Sequence, residues 1–123
     1  SVHVRRQDYL HLQDYHPSCG ADYYRAALGK MGGRAAVIYS DDPDWCAGTL
    51  RGLGRVAPRA SAEDHFRSML RSRHHVIANS SFSWWAAWLA EGPGSVIVAP
   101  RRWFGSRGPQ DAGDLVPSRW VRL

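Results

Sequence analysis

The sequence predicts a parallel, doubly wound α/β sheet, and three features carry that reading. Apolar runs of strand length alternate with stretches of helical spacing along the whole chain. The run Ala35-Ala36-Val37-Ile38-Tyr39 is continuously apolar, as suits a parallel strand covered on both faces rather than an edge strand. Capping and breaking residues mark the transitions between these stretches.

Taken in order, Val2 to Val4 reads as the first strand and Leu10 to Gly20, with Pro17 and Gly20, as a loop. A helix follows from Ala21 to Leu28. Tyr23 and Ala27, and Tyr24 and Leu28, are i,i+4 pairs, Asp22 sits in the favourable first turn, and Gly32-Gly33 follow its end. Ala35 to Tyr39 is the second strand. Ser40-Asp41-Asp42-Pro43 ends it and caps the next helix, with Pro43 at or near the first helical position. Arg55-Val56-Ala57 reads as a short third strand, and Ser61-Ala62-Glu63-Asp64 caps a helix running to about Arg73. Val76-Ile77-Ala78 is the fourth strand. Ser81 to Leu89 is a helix rich in Trp and Ala, stopped by Gly92-Pro93-Gly94, and Val96 to Ala99 is a fifth strand ended by Pro100. Gly105 to Asp114 reads as a surface loop before a short closing segment.

The 123 residues, 44% hydrophobic, suffice for one domain with a real core. No apolar stretch is long enough to cross a bilayer, and no charged-then-apolar leader opens the chain. A strand that leads at once into a working motif is an unusual start, so a preceding segment is expected. The net charge of +5 comes almost wholly from arginine, since Lys30 is the only lysine. Compositional bias of the source would suffice to explain it; as a binding signal it suits a nucleotide-sized anion, because the arginines are scattered. Nucleic acid is not an expected partner: there is no basic helix face and no pattern of base-stacking aromatics. Cys19 and Cys46 stand 27 positions apart without a Cys-x-x-Cys pair or clustered His, which indicates neither a zinc site nor a disulfide framework. His74-His75 point to opposite sides of a strand start and are not expected to ligate metal.

Two stretches carry chemistry. His3-Val4-Arg5-Arg6-Gln7-Asp8-Tyr9 places adjacent guanidinium groups at a strand end, and their planar forks suit a diphosphate. Ala78-Asn79-Ser80-Ser81-Phe82-Ser83-Trp84-Trp85 puts small hydroxyl residues where a helix begins, which also favours phosphate. With Ser40-Asp41-Asp42-Pro43-Asp44-Trp45, Val96-Ile97-Val98-Ala99-Pro100-Arg101-Arg102-Trp103-Phe104 and Val116-Pro117-Ser118-Arg119-Trp120, these stretches resemble the α-1,2-fucosyltransferase family, of the glycosyltransferase family 11 type. The likeness covers nearly the whole chain in ordered motifs.

That resemblance implies a GT-B type enzyme whose C-terminal, Rossmann-like half is residues 1–123 and binds GDP-fucose without metal. The N-terminal domain that binds much of the acceptor is not among these residues. The implied reaction is inverting transfer of L-fucose to the 2-hydroxyl of a galactoside, so the expected partners are GDP-fucose and a galactose-containing glycan. No cofactor is implied. Arg5 and Arg6 would bind the pyrophosphate and stabilise the leaving GDP; His3 and Asp41 or Asp42 would approach the guanine. Asn79, Ser80, Ser81, Phe82 and Ser83 would form the phosphate- or ribose-binding helix start. Asp8 is a candidate either for orienting an arginine, the favoured reading, or for serving as base.

Each assignment has a plainer alternative. Arg5-Arg6 would serve as a solvated surface pair, and Asp41-Asp42 as helix caps. Asp42-Pro43-Asp44 is formally an Asp-x-Asp triplet, yet Pro43 makes it a helix start, so no metal site is expected there. Trp84, Trp85 and Trp88 read as core and interdomain packing rather than as a sugar-stacking platform. Gln7 stands where the family usually has glycine, adding a Cβ at a loop that approaches phosphate. A fragment or paralogue that only binds a guanine nucleotide is therefore the alternative function. The location implied is cytoplasmic or membrane-associated, bacterial rather than Golgi, with any peripheral membrane attachment in the missing segment.

Overall fold

A computed structural model describes residues 1–123. Six strands, β1 (Val2–Val4), β2 (Val37–Ser40), β3 (Arg55–Val56), β4 (His75–Val76), β5 (Ile97–Ala99) and β6 (Val121–Arg122), form one sheet in the order β3-β2-β1-β4-β5-β6. Every neighbouring pair is parallel. Helices α1 (Ala21–Lys30), α2 (Pro43–Thr49), α3 (Ala62–Met69) and α4 (Ser81–Ala90) fill the crossovers. This is the 3-2-1-4-5-6 order of a Rossmann-like fold, in which the chain reverses direction between β1 and β4.

The period-two alternation of the strands sorts side chains between two helical layers. Val2, Val4, Ile38, Val76 and Val98 meet Tyr24 and Ala27 of α1 and Cys46 of α2 on one face. On the other, Tyr39 meets Met69 of α3 and Ala86 of α4, while Ile77, Ile97 and Ala99 meet Ala87 and the C-terminal Trp103, Val116 and Trp120. Burying each large apolar side chain of this set contributes roughly 1.5–3 kcal/mol. Cap signals behave as their chemistry dictates: Asp42 accepts from Trp45 N to start α2, Ser61 accepts from Asp64 N to start α3, and Gly32, at φ 63°, follows α1 in a left-handed turn that a Cβ would strain.

The structure differs from the sequence expectations at several ends. Helix α3 stops at Met69, not near Arg73, because tightened turn bonds from Arg71 N to Ser68 O (3.2 Å) and Ser72 N to Met69 O (2.9 Å) swing the chain toward β4. The closing segment is a sixth strand, paired to β5. The loop after β1 begins with a 3₁₀ turn at Asp8–His11. The tryptophans of α4 divide: Trp84 packs against the cluster of Ile77, Ala87 and Trp120, whereas Trp85 and Trp88 stand outward, 51% and 40% exposed, because Ser83, Ala86 and Ala87 form the buried face. His75 is fully buried, with ring nitrogens 2.8 Å from Ser1 Oγ and 3.0 Å from Ser72 O.

Candidate active site

In an open parallel sheet the crevice outside the carboxyl ends of the strands, at the point where strand order reverses, is where ligands bind. Here that point lies between β1 and β4. A cleft of about 800 Å³ opens there, lined by the loop after β1, by Ser40 and Asp41 after β2, by the approach to α3 and by the start of α4. A smaller cavity of about 210 Å³ lies at the opposite, amino-terminal edge, around Val2 and Met31.

Strand register builds the arginine loop. Val4 is paired with Ser40, so the next residues of the two parallel strands run side by side: Arg5 beside Asp41, Arg6 beside Asp42. Asp41 accepts hydrogen bonds from the Arg6 N–H (3.0 Å) and the Gln7 N–H (3.3 Å), and its Oδ2 lies 3.5 Å from Arg5 Nε. Arg5 Nη2 donates to Asp8 at 2.8 Å. That hydrogen bond holds the Asp8 carboxyl below its usual range. Arg6 Nε donates to Asp42 at 3.2 Å, and its guanidinium lies 4.0 Å over the Trp45 ring. The loop is thus held by carboxylates on two sides, which fixes where its guanidinium groups point.

The α4 start supplies the opposite wall. Ser80 adopts extended geometry (φ −135°, ψ 129°) without a side-chain cap bond, and Trp84 N is the first amide to bond back, to Ser80 O at 3.0 Å. The preceding amides of the first turn have no intrahelical acceptor, and the helix dipole adds partial positive charge there. His3, only 6% exposed, lies on this side of β1 with its ring centroid 5.2 Å from that of Phe82. Its Nδ1 is buried without a partner. Burial, with the Arg5 and His65 charges as lesser causes, pushes its pKa down to about 3. His3 therefore presents a neutral imidazole to the cleft, able to meet an uncharged polar ligand group but not to add positive charge.

Of the site residues expected from sequence, His3, Arg5, Asp8, Asp41, Ser80, Ser81 and Phe82 line the cleft. Four expected ligands do not. Arg6 and Asp42 face α2, where Asp42 caps the helix and Arg6 stacks on Trp45. Asn79, 1% exposed, donates to Pro17 O (2.9 Å) and Trp103 O (2.8 Å) and accepts from the Cys19 thiol, fastening three loops at the sheet edge. The Ser83 hydroxyl is fully buried and lies within bonding reach of Ser80 O and Ala78 O. Tyr9, His16, Arg59 and His65 also line the cleft. Tyr9 ends the arginine stretch but carries no expected role there, and the other three were missed because they lie outside the arginine and serine stretches; only the basic and aromatic character of Arg59 and His65, just before and within α3, could have drawn notice. No three His, Cys, Asp or Glu side chains converge as a metal site would require.

A doubly wound sheet with a guanidinium and an uncapped helix start facing one crevice is a Rossmann-like α/β domain whose crevice has the chemistry that suits an anion. The chain belongs to glycosyl transferase family 11, whose family profile matches residues 1–122. It is 30% identical over 136 aligned positions to the O-antigen biosynthesis glycosyltransferase WbnK of Escherichia coli, covering all of this chain and 44% of that protein. It is 31% identical over 139 positions to an alpha-1,2-colitosyltransferase of Escherichia coli, again over all of this chain and 47% of the relative. The chain thus spans about half the length of the curated relatives it matches. No solved structure matches it significantly. The family makes it glycosyltransferase sequence. No helix is long and apolar enough to cross a membrane.

Proposed function

We propose that residues 1–123 form the donor-binding half of a GT-B type, inverting, metal-independent enzyme that transfers L-fucose from GDP-fucose to the 2-hydroxyl of a galactoside. The observation that carries this reading is the pairing across one crevice of Arg5, held by Asp8 and Asp41, with the uncapped start of α4. As the sugar leaves and gains oxocarbenium character, the diphosphate accumulates charge. Arg5 and the α4 amides, already oriented, stabilise that charge without reorganisation, the role a divalent cation plays elsewhere. Arg6 acts one step back, keeping the loop against α2. Asp41 and Asp42 serve the loop in the same way, which leaves the guanine edge to other groups of the cleft, His3 among them.

The α-1,2 linkage in the name of the colitosyltransferase relative is the linkage proposed here, and that name favours a second reading of the donor, with a colitosyl group in place of fucosyl. Catalysis would take place in a bacterial cytoplasm or at its membrane face. Calorimetric titration of GDP, GDP-fucose and other nucleotide sugars with EDTA present, into the chain and into Arg5→Ala/Arg6→Ala, tests the donor site. Metal-free GDP binding lost in the variant supports it. A folded wild-type chain that ignores GDP overturns it.

A further inference from the structure

A second arginine pair, Arg101-Arg102, follows β5 at the same edge of the sheet as the cleft. With Arg122 it lines a separate polar groove of about 570 Å³, closed on its far side by the loop 105–113. Arg122 is committed to structure, since its Nη2 donates to the carbonyls of Gly113 and Val116. Arg101 makes no side-chain hydrogen bond or ion pair, and Arg102 uses only Nε, on Phe104 O at 3.2 Å. The one carboxylate lining the groove, Asp111, accepts from Gly113 N at 2.8 Å.

The groove is built rather than loose. Gly105 N donates to Tyr15 O (2.9 Å) and Arg107 N to Asp14 O (2.8 Å), and a Cβ on Gly105 would lie 2.2 Å from Asp14 O, so its rim is packed onto the loop after β1. A thin aromatic wall separates it from the donor cleft: Phe104 contacts His16 at 6.0 Å, and His16 stacks on Tyr9 at 4.9 Å.

We propose that this groove is a second oxyanion-binding site, in which Arg101 and Arg102 grip a phosphate or carboxylate group carried by a molecule lying along the carboxyl edge of the sheet. Two guanidinium groups lining one groove, neither engaged by a carboxylate and one of them holding only a single carbonyl, are the donor set that recognises such groups. That the molecule is the glycosyl acceptor rests on the transferase reading; the site itself does not.

The test follows arginine Nε–Hε signals of the isotopically labelled chain by NMR, as inorganic phosphate or acetate replaces chloride at constant ionic strength. Saturable shifts of the Arg101 and Arg102 signals and of the Gly105, Ser106 and Gly113 backbone amides, kept in Arg5→Ala/Arg6→Ala, with the amide response weakened at least tenfold in Arg101→Gln/Arg102→Gln, support the site; the anion that binds more tightly names the group. Arg101→Gln and Arg102→Gln singly guard against misfolding of the pair, each weakening binding in a chain that still binds GDP. Signals that stay unmoved, or shifts abolished by the Arg5/Arg6 change, overturn it. Loss of GDP binding with the phosphate shifts intact sinks the donor assignment alone.

Discussion

The two arginine pairs make an instructive contrast. Both follow ends of parallel strands at one edge of the sheet, Arg5-Arg6 after β1 and Arg101-Arg102 after β5. The first pair is bound to Asp8, Asp41 and Asp42 and to the Trp45 ring; the second engages no carboxylate and one carbonyl. Tethered guanidinium groups lose little entropy on meeting a ligand but must share themselves with built-in carboxylates, whereas free ones attract anions at the cost of being ordered by them. The first arrangement suits a reaction in which charge appears at a fixed place, the second suits recognition.

The largest effect expected is on nucleotide binding. Each lost charge-assisted contact costs roughly 1.5–3 kcal/mol, so Arg5→Ala/Arg6→Ala should weaken GDP binding by about ten- to a hundredfold, while Arg101→Gln/Arg102→Gln should change it less than about twofold. Calorimetry on both variants reads the contrast directly, and equal losses would erase it.

Comparable in size is a pH effect centred on His3 at the first mouth. Burial, then Arg5 and His65, keeps the His3 pKa near 3 in the fold against 6.5 for the free side chain. Below about pH 6.5 the unfolded chain binds a proton that the native chain refuses, so stability falls with pH through the window from 6.5 toward 3, by about 1.4 kcal/mol per unit from this group. His75, lowered to about 4 chiefly by burial, adds the same sign. Denaturation curves between pH 6.5 and 4 should be flatter by one proton in His3→Gln and unchanged in slope in Arg101→Gln/Arg102→Gln.

How legible was the contrast in the sequence? The apolar runs at β1, β2 and β5 announced the sheet, and Asp42, Pro43 and Ser61 announced helix starts, because each signal is local. Strand β6 was illegible: two residues, one of them the exposed Val121, carry no periodicity, and pairing with β5 depends on backbone bonds such as Leu123 N to Ala99 O at 3.0 Å. Both arginine pairs were visible, but not that register would set Asp41 and Asp42 beside the first pair and leave the second without carboxylate partners. Likewise the indoles of α4 read alike in the sequence, but with the small Ser83, Ala86 and Ala87 as the inner face only Trp84 packs against the core while Trp85 and Trp88 turn outward. Side-chain direction at strand ends and helix faces is decided by tertiary packing, which a composition cannot express.

A middle-sized effect separates the loop from its arginines. Asp41 holds two backbone N–H groups as well as facing Arg5. Asn in its place keeps one acceptor oxygen and brings a donor against an amide, so Asp41→Asn should lower stability by about 1–3 kcal/mol and weaken GDP binding with it. Urea melts should show the change in midpoint; a variant as stable as wild type would mean that the loop holds itself.

The smallest effect decides what tethering is for. Asp8 is 48% exposed at its side chain, and its pair with Arg5 is of the kind worth about 0–1 kcal/mol. Asp8→Asn should therefore leave stability nearly unchanged. Its effect on GDP is informative in sign. If Asp8 orients Arg5, the variant binds GDP about two- to fivefold more weakly, because the guanidinium must be ordered by the ligand. If Asp8 instead competes with phosphate for Arg5, removing its charge tightens binding. The geometry, one 2.8 Å bond from Nη2 with the Nε edge turned toward Asp41, leaves Nη1 open to phosphate, and on that ground weaker binding is expected. Tighter binding would show that the first pair, like the second, reaches its ligand only by shedding what surrounds it.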